Sequence, residues 1–234
     1  MVQVESKVDL SRMSYAAAAE HLSRACPKMA SVVKAVGVCG WKPEERTETV
    51  FEYLARSIVF QQLNGKVAST IYRRYAQLFD PGAKEDEDAP DYNPWKGLRH
   101  PMPEEVAAAD VEFLRSAGLS PQKAGYIKGL AQQVLNGLPD LPRLSELDDE
   151  GVVAELTKVK GVGRWTVEML LLFRMGRMDV WPIDDLGVRA GLRKIYAMET
   201  APKPKEAQAM GEPFRPYRGA AAYYCWIALE IETP

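Results

Sequence analysis

The sequence predicts an all-α protein, and three observations carry that prediction. Apolar residues recur at helical spacing along most of the chain. Residues that favour helix starts and stops bracket these periodic segments. The best candidate strand, residues 179–182, is too short to build a sheet.

The periodic segments predict ten helices, which cover residues 15–25, 45–60, 66–78, 104–108, 111–117, 121–136, 149–159, 165–175, 185–198 and 216–231. Ser14 is a favourable N-cap for the first of them, and Pro27 is expected to end it. Ser120 caps the sixth helix and places Pro121 at its first position, where proline fits a helix best.

Two connections stand out between these helices. Residues 61–65 are polar and end in a glycine, which predicts a tight turn between antiparallel helices. Residues 80–103 contain five prolines and a cluster of acids, which predicts a long surface excursion.

Length and composition exclude several classes of protein. A chain of 234 residues holds one large domain or two intimate lobes. With 47% hydrophobic and 26% charged residues it is neither disordered nor a fibrous or disulfide scaffold. The longest apolar stretch, residues 220–229, is too short to cross a membrane. Residues 1–10 are charged and contain no apolar h-region, so no secretory signal is expected. The cysteines and histidines lack the spacing of a zinc or iron–sulfur site, so we expect no metal.

The most informative stretch is residues 156–189, in which two helices flank Gly161-Val162-Gly163. The N–H groups of such a turn and of the following helix start form a site suited to a phosphate. Lys158, Lys160 and Arg164 add positive charge around it. An ordinary helical hairpin with a glycine-rich loop stays open as an alternative from this pattern alone.

Two adjacent carboxylates follow about twenty residues later. Asp184 and Asp185 stand after Pro182 at the expected start of a helix. A carboxylate at this position is held rigidly, although simple helix capping explains at least one of the two.

The hairpin, the spacer and the aspartates together resemble the helix-hairpin-helix (HhH-GPD) DNA glycosylase superfamily. In that family the hairpin grips DNA phosphates and the aspartate is catalytic. Its bifunctional members carry a lysine nucleophile two residues after the last glycine of the hairpin. This chain has Trp165 there, which resembles the 3-methyladenine DNA glycosylase II branch.

Three further segments extend the resemblance over about residues 45–230. Residues 57–63 are similar to the segment with which this branch probes the DNA minor groove, and residues 117–124 to its GLS-x-x-KA segment. Pro216-Tyr217-Arg218-Gly219, followed by Trp226, is similar to its last core helix. The chain resembles the compact form, which lacks the N-terminal β-domain.

The resemblance implies two helical lobes with an active-site cleft between them. Lobe A is expected at about residues 45–150, and lobe B at residues 1–44 and 151–234. The implied function is base-excision repair by a monofunctional glycosylase, which flips alkylated bases out of duplex DNA and hydrolyses the N-glycosidic bond. A glycosylase for a deaminated neutral base such as hypoxanthine, and a non-catalytic DNA-binding protein, are the alternatives.

The resemblance also implies roles for particular residues. Asp185 is expected to be catalytic, with Asp184 as the second choice. The remaining residues are expected to form the base pocket (Trp165, Met169, Trp226, Tyr224), the DNA-binding hairpin (Lys158, Lys160, Gly161, Val162, Gly163, Arg164, Thr166), the minor-groove wedge (Gln62, Leu63) and further DNA contacts (Asn64, Lys66, Ser120, Lys123).

The expected partner is double-stranded DNA that contains alkylated bases. The protein is expected to act as a monomer and to have no membrane partner. No cofactor is expected beyond a monovalent cation at the hairpin carbonyl groups. The expected location is the bacterial cytoplasm and nucleoid, or the nucleus in a eukaryote.

The net charge of −2 first argues against DNA binding. Its distribution removes that objection, because residues 80–91 alone contribute −5 and the remainder of the chain is +3. Residues 158–179, around the hairpin, carry a charge of +3. DNA binding is therefore expected to be weak without a lesion and sensitive to salt.

Overall fold

The structure is a computed structural model that describes residues 14–38, 48–82 and 98–231. Within these ranges every regular element is helical and no strand occurs, which confirms the all-α prediction. The helices are α1 (Tyr15–Ala25), α2 (Pro27–Val36), α3 (Val50–Phe60), α4 (Gly65–Phe79), α5 (Pro103–Ala108), α6 (Val111–Arg115), α7 (Pro121–Leu135), α8 (Leu141–Ser145), α9 (Asp149–Leu156), α10 (Arg164–Phe173), α11 (Leu186–Tyr196), α12 (Pro204–Gly211) and α13 (Arg218–Glu230), with a 3₁₀ turn at Glu212–Phe214.

The chain divides into two compact units. Unit 1 comprises Met1–Glu44 and Leu171–Pro234, and unit 2 comprises Glu45–Leu170. The sequence interpretation placed residues 151–170 with the terminal lobe, whereas the structure groups them with unit 2. The reason is local, because the hairpin turn at Gly161 is held by Gln61 and lies against Tyr126 of α7.

Unit 1 is organised around α13, whose small and apolar residues allow other helices to approach closely. Ala220, Ala221 and Ala222 are all fully buried. Gly191 of α11 faces the backbone of Cys225, and a Cβ at this glycine would overlap the Cys225 carbonyl group. A larger residue at position 191 would therefore push α11 and α13 apart.

Unit 2 has its own core, formed where α3, α5 and α6 pack around α7. Its fully buried side chains include Leu54, Ile58, Leu114, Ile127 and Leu130. Burial of each of these side chains stabilises the folded state by about 1.5–3 kcal/mol. This core holds α3 and α7, and the turn that joins α3 to α4 follows directly from it.

Several predicted boundaries shift for identifiable reasons. Pro27 was expected to end a helix, but it opens α2, because proline fits the first helical position as well as it stops the preceding helix. Pro204 opens α12 in the same way, and the sequence interpretation missed this helix together with α8. Helix α3 begins at Val50 because Thr49 and Glu52 form a capping box.

Two features predicted from the sequence lie on residues that the structure does not describe. The acidic cluster between residues 85 and 91 and the first residues of the helix expected from residue 45 lie outside the described ranges. None of the described helices combines the length and the apolar composition that a bilayer crossing requires.

Candidate active site and nucleic-acid interface

Asp185 stands at the start of α11 in unit 1 and is its N-cap residue. One carboxylate oxygen, Oδ1, accepts a hydrogen bond from the backbone N–H of Val188 at 2.7 Å. The same oxygen accepts a second hydrogen bond from the indole N–H of Trp226 at 2.9 Å. A backbone group and a half-buried side chain thus fix the carboxylate from two directions.

Gly187 makes this arrangement sterically feasible. A Cβ at position 187 would lie 2.8 Å from Cδ1 of Trp226 and 3.1 Å from Oδ1 of Asp185. The ring of Phe173 stacks on Trp226 at a centroid distance of 5.6 Å and an interplanar angle of 23°. The sequence interpretation missed Gly187 and Phe173, although a glycine two residues after the aspartate was a readable sign of close approach.

The two neighbouring aspartates differ in their surroundings. Asp184 is exposed, and within the described part of the chain no hydrogen bond or ion pair holds its carboxylate. Asp185 is partly buried and makes the two bonds given above. The preference for Asp185 therefore gains a geometric argument, because only this carboxylate has a fixed orientation.

The hairpin turn lies in unit 2 and depends on Gly161. This residue has a φ of +94°, a left-handed backbone that favours glycine. A Cβ there would lie 2.6 Å from Cγ of Tyr126. Its carbonyl oxygen accepts a hydrogen bond from the side-chain amide of Gln61 at 2.9 Å. The turn is thus clamped between α7 and the end of α3.

Helix α10 begins directly after this turn, at Arg164. Gly163 is exposed, has open space around its Cα, and accepts the first helical hydrogen bond from Val167. A glycine supplies no side-chain cap, and the start of a helix after such a turn is a favourable place for an anion, as the sequence predicts. The turn itself offers fewer donors than the sequence predicts, because the Val162 N–H donates to the Val159 carbonyl at 3.0 Å.

Two of the three cations expected at the hairpin are engaged in ion pairs. Arg164 donates to both carboxylate oxygens of Glu150, one of them at 2.9 Å, and Lys158 pairs with Glu155 at 2.8 Å. Hydrogen bonding to Arg164 lowers the pKa of Glu150, and the same bond raises the pKa of Arg164. Exposed pairs of this kind contribute only about 0–1 kcal/mol each, so a phosphate can replace the carboxylate.

The first turns of α10 carry the residues expected at the base pocket and beside it. Trp165 is 44% exposed, an unusually open position for a tryptophan. Met169 lies one turn later on the same face and is buried, as is Thr166. The Thr166 side chain is therefore not displayed on the surface, whereas the Trp165 ring is exposed.

The turn that joins α3 to α4 projects from unit 2. Gln62 has a φ of +58°, which is uncommon for a residue other than glycine. Leu63 is 39% exposed. Asn64 caps α4 by accepting from the Val67 N–H at 3.0 Å, and Lys66 is exposed on the first turn. Both wedge candidates are thus displayed to solvent on a short and well-defined turn.

Two further predicted DNA contacts have intramolecular partners. Ser120 caps α7 by accepting from the Lys123 N–H at 3.2 Å. The Lys123 ammonium donates to the carbonyl oxygens of Val59 and Gln61, each at 2.7 Å. Burial lowers the pKa of Lys123. The charge of Lys123 is thus used at the C-terminal end of α3, and its contact with DNA stays a prediction.

The described residues contain no group of three or more side chains that could hold a metal ion. A monovalent cation at the hairpin stays a prediction. Two of the carbonyl groups, those of Gly161 and Gly163, already accept hydrogen bonds from Gln61 and Val167.

Comparison with known proteins decides the family. Residues 55–216 match the model of the HhH-GPD superfamily base excision DNA repair proteins. The chain belongs to this superfamily. It is 34% identical to DNA-3-methyladenine glycosylase 1 of Schizosaccharomyces pombe over 209 residues, which is 88% of this chain and 84% of the relative. It is 30% identical to an alkylbase DNA glycosidase-like protein of the same yeast, over 91% of this chain and 92% of the relative.

The fold agrees with a solved HhH-GPD structure. The chain resembles the 3-methyladenine DNA glycosylase of Schizosaccharomyces pombe in complex with abasic DNA, with a TM-score of 0.78 and 32% identity. The similarity covers 93% of this chain and 98% of the other.

The HhH-GPD match contains both the hairpin and Asp185, whereas Tyr224 and Trp226 lie beyond it. Tyr224 is fully buried in unit 1, and its hydroxyl donates to the Gly37 carbonyl at 2.9 Å. These are the contacts of a core residue, and they give no support to the predicted place of Tyr224 in a base pocket. Trp226 is instead tied to Asp185 through its indole N–H.

Proposed function

We propose that this HhH-GPD protein is a monofunctional DNA glycosylase that removes alkylated purines of the 3-methyladenine and 7-methylguanine type from duplex DNA. The products are the free base and an abasic site. The observation that carries the proposal is the carboxylate of Asp185, held at a helix start by Val188 and Trp226. The names of the two yeast relatives support this substrate class.

Alkylation gives the purine a positive charge, which weakens its bond to the sugar. When this bond breaks, its electron pair moves to the purine nitrogen and neutralises the base. The sugar is left as an oxocarbenium-like cation. The anionic carboxylate of Asp185 stabilises this cation, and a preoriented charge costs no reorganisation at the moment of reaction. Water then forms the new bond to the sugar and loses a proton, for which Asp185 is the acceptor.

Trp165 supports both the reaction type and the substrate class. It stands where the bifunctional members of the superfamily carry a lysine, so this position offers no amine for a covalent sugar intermediate. Its ring is 44% exposed and electron-rich. A cationic base over a tryptophan face gains about 0.5–2 kcal/mol, which favours alkylated over neutral purines.

The hairpin and the α3–α4 turn serve DNA binding in this proposal. The N-terminus of α10 receives a DNA phosphate, and Lys158, Lys160 and Arg164 add charge around it. Gln62 and Leu63 fill the gap that the extruded base leaves in the stack. No step of the reaction requires a cofactor.

The test compares Asp185→Asn with the matched control Asp184→Asn on methylated duplex DNA, with released bases quantified by chromatography. Asp185→Asn should slow release by about 100-fold or more while DNA affinity is retained, since an electrostatic stabiliser of the transition state is removed. Asp184→Asn should stay within about threefold of the parent, because an exposed carboxylate without fixed partners contributes little to a preoriented site.

Other outcomes would redirect the proposal. Tight lesion binding without release of any base would identify a non-catalytic DNA-binding protein. Release of hypoxanthine but of no alkylated purine would identify a glycosylase for neutral bases. Full activity of Asp185→Asn would remove the catalytic role from this residue.

A further inference from the structure

We infer that Gln61 and Lys123 are positioning residues that hold the Gln62–Leu63 turn ready to enter the DNA duplex. The inference rests on the proposed function, because it assigns a task to residues that touch neither the extruded base nor the sugar. All of the groups involved lie within unit 2.

Lys123 secures the end of α3. Its ammonium reaches from α7 to two backbone carbonyl groups, those of Val59 and Gln61, at 2.7 Å each. The last carbonyl groups of a helix have no intrahelical donor, and a cation is the favoured partner at this end of the helix dipole. The end of α3, and with it the start of the turn, is therefore attached to α7.

Gln61 connects the same turn to the hairpin. Its backbone carbonyl accepts from Lys123, while its side-chain amide donates to the Gly161 carbonyl at 2.9 Å. Gly161 is itself fixed against the Tyr126 ring. The residue directly before the wedge is thus bonded to the element that would grip phosphate.

The turn requires such support for a backbone reason. Gln62 has a left-handed φ of +58° without being a glycine. A non-glycine residue keeps this conformation only where its surroundings enforce it. Bonds to Gln61 on one side and the Asn64 cap on the other supply that enforcement.

The turn displays an apolar surface suited to a base stack. Leu63 and Val67 are four residues apart and are 39% and 43% exposed. A wedge that is already ordered loses little conformational entropy on insertion, so it fills the vacated space more favourably than a mobile one. Loss of Gln61 or Lys123 should therefore affect the step in which the duplex is opened and leave the chemistry at the sugar unchanged.

The experiment measures single-turnover release of one alkylated base from a duplex and from the same oligonucleotide as a single strand. Lys123→Met and Gln61→Ala should slow release from the duplex by about tenfold and from the single strand by less than about twofold, because only the duplex has a stack to fill. Lys123→Arg should restore most of the duplex rate. Lys205→Met and Gln132→Ala, both at exposed sites, are the matched controls and should behave as the parent.

A double-variant cycle gives the second readout. If Gln61 acts through the wedge, adding Gln61→Ala to Leu63→Ala should cause little further loss on the duplex. Equal losses on both substrates, additive losses with Leu63→Ala, or no loss on the duplex would overturn the inference. Thermal unfolding of each variant identifies any that fail to fold, in which case Gln61→Ala and Lys123→Arg carry the test.

Failure of the proposed function is distinguishable from failure of this inference. If the parent protein releases no base, the same variants are assayed by the fluorescence of 2-aminopurine placed beside an abasic site in duplex DNA. Insertion of the wedge changes the stacking of this probe. Lys123→Met and Gln61→Ala should reduce the signal change at saturating protein, and an unchanged signal would overturn the inference.

Discussion

The Asp185 site of unit 1 and the hairpin region of unit 2 differ in how firmly their charged side chains are held. Asp185 is held by hydrogen bonds to a backbone N–H and an indole, and Gly187 leaves no room for a methyl group beside them. The hairpin leads into the N-terminus of α10, and its cations Lys158 and Arg164 are in exposed ion pairs. A catalytic carboxylate benefits from fixed geometry, whereas a phosphate-binding surface benefits from partners that it can exchange.

The largest effect should come from filling the space at Gly187. Gly187→Ala places a methyl group where the Trp226 ring and the Asp185 carboxylate already lie, so one of them must move. Base release should fall by about 100-fold, since a displacement of about 1 Å at a catalytic group has effects of that size.

The control for that variant is Gly125→Ala, because no atom lies within 4 Å of a Cβ at this exposed position of α7. It should retain activity and raise the melting temperature slightly. Single-turnover release and thermal unfolding measure both effects. Normal release by Gly187→Ala would show that the fixed geometry around Asp185 is dispensable.

A smaller effect should follow from Trp226→Phe. This change keeps an aromatic ring against Phe173 but removes the N–H donor to Asp185. Base release should fall by about tenfold, as expected for one hydrogen bond to a charged group. Trp181→Phe removes a different indole N–H, one that donates to the Ala207 carbonyl. It should affect stability more than release. Equal kinetics of the two variants would contradict a role for Trp226 at the carboxylate.

On the hairpin side, Gly161→Ala should weaken DNA binding. The added methyl group overlaps the Tyr126 ring, and a left-handed φ is costly for alanine. Affinity for an undamaged duplex should drop by about tenfold, comparable to the loss of one well-made phosphate contact. Gly129→Ala, on α7, meets open space and has no left-handed φ, so it is the matched control in a fluorescence anisotropy titration. If the two variants bind alike, the conformation of the turn does not govern phosphate binding.

The smallest effect on DNA binding should come from removing the ion-pair partner of Arg164. Glu150→Gln removes the carboxylate that competes with phosphate for this guanidinium. DNA affinity should rise by about two- to threefold, because an exposed ion pair is worth little. The slope of binding against salt concentration should steepen slightly, since one more cation reaches the DNA. Glu104→Gln, at an exposed site on α5, is the control for the change in net charge.

The pH dependence of binding supplies a second check on the same pair. Bonding to Arg164 lowers the pKa of Glu150, so the pair persists at neutral pH and is lost as the pH falls through that lowered pKa. Parent protein should gain DNA affinity in that acidic range, and Glu150→Gln should lack this gain. Identical profiles for the two proteins would show that the pair does not compete with phosphate.

Much of this organisation could be read from the sequence, and the failures have physical causes. The hairpin and Asp185 were found because their chemistry depends on residues close together in the chain. The role of Lys123 was missed because its acceptors, Val59 and Gln61, lie about 60 positions away. Proline can end one helix or occupy the first position of another, so Pro27 and Pro204 were not recognised as helix starts. The ion pair of Arg164 depends on how α9 packs beside the hairpin, and the local sequence pattern does not predict this packing.

The hydrogen bond between Trp226 and Asp185 also has a consequence for the intrinsic tryptophan absorption and fluorescence of the protein. An indole whose N–H donates to a carboxylate, and whose face is stacked on Phe173, has a polarised environment unlike that of the exposed Trp165. Its near-ultraviolet absorption and emission depend on the state of that one carboxylate. We therefore expect the intrinsic spectrum to contain a component that changes when a ligand binds beside Asp185.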